Sequence, residues 1–379
     1  MSNGPLYVPT PFDRRRFLRV GATGLGAVLG ARVLAACGGD DASSPVTTVA
    51  GVATTSAASE MPAELVPVSV GMGWISNVEY AGAWLALANG FYAEEGIDAR
   101  YLSGGPNAPA PPVVVAAGDA QIGVAASMTQ LLDAIGQDND FVVFATQYQT
   151  SPGAVLSLAD KPIRTPEDLV GITFLGQEGV DILIDAVLDI AGLPKEYTFI
   201  PAGFTPDPLV EGQGDAYSCF LVNQPITLEQ RGLVEDEDFV VTTWAELGLP
   251  SYANLHFAQR SYLESNRDEV VRFARATIKG WELNERDPNV GAQLAVEDFG
   301  VDLGLDIAQQ TRQNELQIPL MKSALTAASG LMRLDPEIWD GPMGAAYKAS
   351  GRDVMPPAAT TLDLTILDEV YGDATTLLS

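Results

Sequence analysis

From residue 65 to residue 243 the chain alternates between runs that read as strands and runs that read as helices, and this alternation limits its fold more than any other feature. Residues 65–72 alternate apolar and polar positions, the period of a strand. Residues 79–89 recur at helical spacing and stop at Gly90, a residue suited to a helix C-terminus. A strand at 97–102, a short helix at 112–117 before Gly118, a strand at 121–125, a helix at 128–135 and a strand at 141–147 complete a first unit. The pattern then repeats. A strand at 154–158 precedes Thr165, which with Pro166 and Asp168 has the capping pattern of a short helix. A strand at 172–175, a helix at 181–191 before Gly192, strands at 198–201 and around Cys219, a helix from Pro225 and a strand at 239–243 follow. Strands spaced by helices predict mostly parallel sheets, so the expected fold class is α/β. Two units, in a chain of 379 residues, predict two lobes rather than one core.

After a strand that includes His256 the chain turns helical. Residues 268–286 place Val270, Phe273, Ala274, Ile278 and Trp281 on one stripe. Further helices are expected at 290–298, 306–328 and 335–349.

The N-terminus carries addressing motifs. Arg14 and Arg15, in a run that continues to Arg19, read as a twin-arginine export signal, and Leu34-Ala35-Ala36-Cys37 reads as a lipobox whose cysteine takes the lipid. The Gly/Ala-rich stretch between them is too short to span a bilayer, which needs about 20 apolar residues. Residues 1–36 are therefore expected to be a signal peptide. Residues 37–64 have no aromatic residue and are rich in Gly, Ala, Ser and Thr, so they are expected to be a disordered tether. The rest should sit on the extracytoplasmic face of the membrane as a lipid-anchored monomer.

The formal charge is −28, and without the arginine-rich signal it is about −32. Such a balance excludes nucleic acid as a partner, because phosphate contacts need clustered Lys and Arg. It also disfavours steering of small anions. There are two cysteines and one histidine. With Cys37 assigned to lipid, Cys219 reads as a small buried strand residue, and neither a disulfide scaffold nor a metal site is expected. His256 reads as structural. No nucleophile elbow, phosphate loop or dinucleotide fingerprint is present, and no catalytic residue or cofactor is assigned.

Ligands of open α/β sheets bind at the carboxyl ends of the strands. The junctions there carry Trp74 and Asn77 near Tyr80, Ser127, Gln177 with Glu178, and Asn223. Gln149 ends the last strand of the first unit. Trp74 can stack on a flat ring, and the amides can donate and accept. Asn77 and Ser127 are equally suited to capping helices.

The run Gly73-Trp74-Ile75-Ser76-Asn77, Tyr80-Ala81-Gly82-Ala83-Trp84, and Asn89-Gly90-Phe91-Tyr92-Ala93-Glu94-Glu95-Gly96-Ile97-Asp98 resembles the solute-binding proteins of ABC importers that group with thiamine-pyrimidine synthase. The likeness continues through residues 115–124, 161–171 and 276–281. It implies a two-lobed periplasmic-binding-protein fold of the second type, with crossovers near 149–154 and 244–254. The lobes would then be 65–149 plus 254–379, and 150–253, with the ligand cleft between them. Trp74, Asn77 and Tyr80 match cleft positions in binders of flat heterocycles, and Glu178 falls in a second-lobe loop that contacts ligand. The resemblance implies a small-molecule ligand (a thiamine-type pyrimidine precursor first, riboflavin next) and an ABC permease and ATPase as partners. A sulfonate or nitrate binder, an exported pyrimidine-synthase-like enzyme and a surface sensor are the alternatives. The synthase's cysteine-rich, iron-binding motif is absent.

Overall fold

Ten strands in two five-stranded sheets carry the chain. They are β1 (Val66–Met72), β2 (Ile97–Leu102), β3 (Ile122–Ala125), β4 (Phe141–Tyr148), β5 (Gly153–Leu158), β6 (Thr173–Gly176), β7 (Thr198–Pro201), β8 (Ala216–Phe220), β9 (Phe239–Thr243) and β10 (Ala253–Gln259). The computed structural model describes residues 64–379 apart from 106, 107 and 353. Arg14, Arg15, Cys37 and nearly all of the 37–64 segment lie outside the described residues.

The first sheet has the order β2-β1-β3-β10-β4 and the second β7-β6-β8-β5-β9. The two orders are one pattern. In each, a single antiparallel strand lies between two that run the other way: β10 between β3 and β4, and β5 between β8 and β9. These two are the strands that arrive from the other sheet, through residues 149–152 and 244–252. A strand entering by a short link starts at the end where its new neighbours finish, so it must run back against them. This is the two-lobed α/β architecture of periplasmic binding proteins of the second type. The expected mostly parallel sheets are found, with that one reversal in each.

Each sheet buries its own core. Phe141, Val143, Leu255, Phe257, Leu131 and Trp339 meet around the first. Val155, Phe174, Ile184, Leu188 and Trp244 meet around the second. The helix Asp181–Ala191 begins and ends where the sequence places it, with Gly192 in the left-handed region at its C-terminus. Thr165 and Asp168 form the expected capping box.

The C-terminal helices pack back on the first sheet, and here the structure departs from expectation. The single helix expected at 306–328 is divided into Ile307–Gln317, a 3-10 turn Ile318–Met321, and Ala324–Ser329. Pro319 interrupts the hydrogen-bond ladder, and Ser323 caps a new helix. Pro342 and Gly341 likewise break the 335–349 region into short pieces.

The helix Ile307–Gln317 buries amides instead of apolar groups: Gln309, Gln310, Gln313, Asn314 and Gln317 are all nearly inaccessible. Hydrogen bonds offset most of the cost, with Gln313 Nε2 left without a partner among the described residues. Gln310 Oε1 accepts from Val78 N, and Gln317 Nε2 donates to Val78 O, so the helix satisfies both backbone groups of one residue in the turn after β1. Tyr148 Oη donates to Gln317 Oε1, and Asn314 and Asn284 exchange amide bonds. Among the described residues no helix is long and apolar enough to cross a membrane.

Candidate functional site

Four strand-to-helix junctions, two from each sheet, converge on one cavity between the lobes. After β1 come Trp74 and Glu79. After β3 come Ser127 and Gln130. After β6 come Gln177 and Glu178. After β8 come Asn223 and Gln224. The two crossover segments close the back with Ser151, Trp244 and Ser251, and Ser151 N donates to Ser251 O to tie them together. The cavity encloses about 140 Å³, close to the space that accepts a single benzene-sized ring. Beyond Trp74 and Gln130 a wider opening of about 430 Å³ continues outward between the 108–113 segment and Gly179.

Contacts across the cleft hold the lobes together. Gln130 Nε2 donates to Gly179 O at 3.1 Å. Gly179 has φ +83, a backbone that favours glycine, and a Cβ there would fall 2.4 Å from that same amide nitrogen and push the Gln130 side chain off its bond. On the opposite side Gln309 Nε2 donates to Asn223 Oδ1 at 3.0 Å, and Gln230 Nε2 donates to Asp306 Oδ1 at 2.9 Å.

The structure brings five of the sequence-derived candidates onto this one wall: Trp74, Ser127, Gln177, Glu178 and Asn223. Ser127 also caps its helix, its Oγ accepting from Gln130 N. Gln177 is fixed by Ser218, Tyr217 and Gly203 O. Glu178 stands exposed at the rim.

Three other candidates lie elsewhere. Asn77 is buried as a cap, with Oδ1 accepting from Glu79 N and its carbonyl from Trp84 Nε1. Tyr80 is buried edge-on to Trp84. Gln149 is occupied by Arg333 O and Ser323 Oγ. His256 is buried on β10, where Nδ1 donates to Asn254 O, and burial pulls its pKa down to about 4.

Glu79 is the charged lining residue that the sequence did not mark. It is 1% exposed overall and reaches the cavity wall. Asn254 Nδ2 donates to Glu79 Oε1 at 2.9 Å and to Gln147 Oε1 at 3.1 Å, while Gln147 Nε2 donates to the Glu79 carbonyl at 2.9 Å. Loss of water pushes the Glu79 carboxyl up to about 7, outweighing the opposing pull of the Asn254 amide. No Lys, Arg or His lines the cavity among the described residues. Cys219, also on the wall, is buried as expected.

Residues 77–290 match the family described as NMT1/THI5 like. The chain belongs to the NMT1/THI5-like family. Two characterised proteins are similar over most of their length. A formylaminopyrimidine-binding protein of Halalkalibacterium halodurans is 24% identical over 294 residues, 76% of this chain and 83% of that protein. The riboflavin-binding protein RibY of Chloroflexus aurantiacus is 26% identical over 304 residues, 77% of this chain and 84% of that protein. Among solved structures, the ligand-binding component of an ABC-type import system from Staphylococcus aureus, determined with zinc bound, superposes with a TM-score of 0.57. It is 9% identical and covers 80% of this chain and 98% of that one. For this NMT1/THI5-like chain the fold thus agrees with that of binding proteins.

Proposed function

We propose that this protein is the extracytoplasmic solute receptor of an ABC importer and that it captures a small, uncharged or cationic heteroaromatic nutrient in the cleft between its lobes. The observation that carries this reading is the composition of the cavity wall. Trp74, Phe220 and Trp244 supply ring faces, amides and hydroxyls supply directional hydrogen bonds, and the charged side chains are the carboxyls of Glu79 and Glu178. A sulfonate or nitrate is best held by a cation that replaces its water, and no cationic side chain lines the wall among the described residues. The volume favours one ring. A single-ring aminopyrimidine matches it, whereas a three-ring flavin requires the cavity to open past Trp74 into the outer compartment. The similarity to formylaminopyrimidine- and riboflavin-binding proteins supports both classes in that order.

In this reading the lobes close around the solute because it adds contacts only the closed form can make. Arg14 and Arg15 direct export, Cys37 is lipidated, and the lipid keeps the receptor beside its permease. The protein acts as a monomer, without catalysis. Mass spectrometry of small molecules released from the purified protein tests the function: an aminopyrimidine or a flavin is expected, and an alkanesulfonate in their place contradicts it. Membrane fractionation of Cys37→Ser tests the anchor. The variant should lose the membrane, and unchanged membrane association contradicts lipidation at that residue.

A further inference from the structure

We propose that the Glu79 carboxyl and a basic ring nitrogen of the bound ligand share one proton, so that the cleft selects weakly basic N-heterocycles and binds them with a bell-shaped dependence on pH. The inference rests on the function proposed above and specifies the chemistry of its ligand.

Three observations converge on it. Glu79 is nearly inaccessible yet lines the cavity. The side chains around it hold it in place: Asn254 Nδ2 donates to both Glu79 and Gln147, and Gln147 returns to the Glu79 backbone, while Asn254 Oδ1 has no hydrogen-bond partner among the described residues. Glu79 is thus fixed in place by neutral partners. A buried carboxylate with no cation beside it is costly in its ionised form.

The titratable groups around it do not supply that cation. Tyr80 and Tyr148 are phenols whose own ionisation the Glu79 charge opposes. His256, further along β10, is kept neutral by burial. Cys219 and Glu178 stand elsewhere on the cavity wall, and helix Ile307–Gln317 presents amides to this region. A ligand that brings a basic nitrogen completes the site. A neutral carboxylic acid donating to the ring nitrogen and a carboxylate accepting from the ring cation contain the same single proton. An exocyclic amino group next to that nitrogen donates to the second carboxyl oxygen, so an aminopyrimidine edge matches a carboxyl in both positions.

The proton balance fixes the pH profile. Below the ligand's own pKa both free partners carry a proton, and binding releases one. Above about 7, where free Glu79 is ionised, neither carries it, and binding takes one up. Affinity therefore falls about tenfold per pH unit on each flank.

Calorimetric titration with 4-amino-2-methylpyrimidine between pH 5 and 9, in two buffers of different ionisation enthalpy, reads this directly. The expected result is tightest binding between the ligand's pKa and about 7, with uptake of one proton per ligand on the alkaline side. Glu79→Gln should bind at least tenfold more weakly and lose the alkaline flank. The wild-type profile needs no variant, so the test stands even if Glu79→Gln folds poorly. Binding whose affinity does not change from pH 6 to 9, or a full bell retained by Glu79→Gln, overturns the inference and leaves the proposed function intact. Failure of the wild-type protein to bind any heterocycle overturns the function and this inference together.

Discussion

Asn254 donates to Glu79 across 2.9 Å although the two residues lie 175 positions apart in the chain. Asn254 is the second residue of the strand that returns to the first sheet, and it holds a left-handed backbone, φ +53. The link between the crossover and the cavity acid is made in an unusual conformation that Asn tolerates better than most residues.

Asn254→Ala should therefore be costly twice over, losing a buried hydrogen bond to a carboxyl and straining the backbone, for a destabilisation of about 2–4 kcal/mol. Asn254→Gly keeps the backbone and loses only the amide, so it should retain part of that difference. Urea unfolding of the two variants checks the order. Equal stability of Asn254→Ala and wild type contradicts it.

Glu79 sets a pH dependence of stability whose sign is fixed. Its folded pKa of about 7 lies above the 4.5 usual for a glutamate, so the folded state keeps a proton that the unfolded chain gives up. Stability falls as pH rises from about 4.5 to about 7 and is level above that. Glu79→Gln should be more stable than wild type at pH 8, by up to about 3 kcal/mol, with the difference gone near pH 4. Denaturant midpoints at the two pH values measure it.

His256 acts in the opposite sense. Its folded pKa, about 4, lies below the usual 6.5, so stability declines as pH falls from about 6.5 toward 4. His256→Gln should flatten this acid limb while leaving ligand affinity at pH 7 unchanged, because His256 is not among the lining residues. A large loss of affinity at pH 7 would place the histidine in the ligand's path.

Gln130→Ala removes the hydrogen bond that ties the first lobe to Gly179. Ligand release should quicken several-fold, and small-angle scattering of the free protein should show a larger radius of gyration. No change in either would mean that the bridge is incidental to closure.

The helices Ala81–Ala88 and Arg267–Arg286 cross where Gly82 meets Gly280, and a Cβ on Gly280 would lie 1.9 Å from the Gly82 carbonyl oxygen. Gly280→Ala forces these helices apart and should lower stability by ~1–3 kcal/mol or more.

Much of this architecture was legible because the relevant signals are local. Gly192, Thr165 and Pro166 mark helix ends by backbone geometry that needs no distant partner. The four junctions can be placed for the same reason, and five of their seven candidate residues line one cavity. Asn77 and Tyr80 share the first junction with Trp74 but are held by Trp84 and their own turn. Glu79 stayed hidden because a Glu at a helix start reads as ordinary dipole complementarity. Its burial depends on Asn254 and on the amide stripe of helix Ile307–Gln317. A readable trace of that stripe existed: uncharged amides at 309, 310, 313, 314 and 317 fall on one helical face while Arg312 and Glu315 fall outside it.

The central claim is that a cavity without cations, walled by Trp74 and closed around Glu79, takes a single heteroaromatic ring. Parallel calorimetric titrations of the wild-type protein and Trp74→Ala, near pH 7, with 4-amino-2-methylpyrimidine and with taurine test it most directly. Saturable one-to-one binding of the pyrimidine, weakened by about 1–3 kcal/mol in Trp74→Ala, with no binding of taurine, is the predicted result. Tight binding of taurine with none of the pyrimidine would contradict the account.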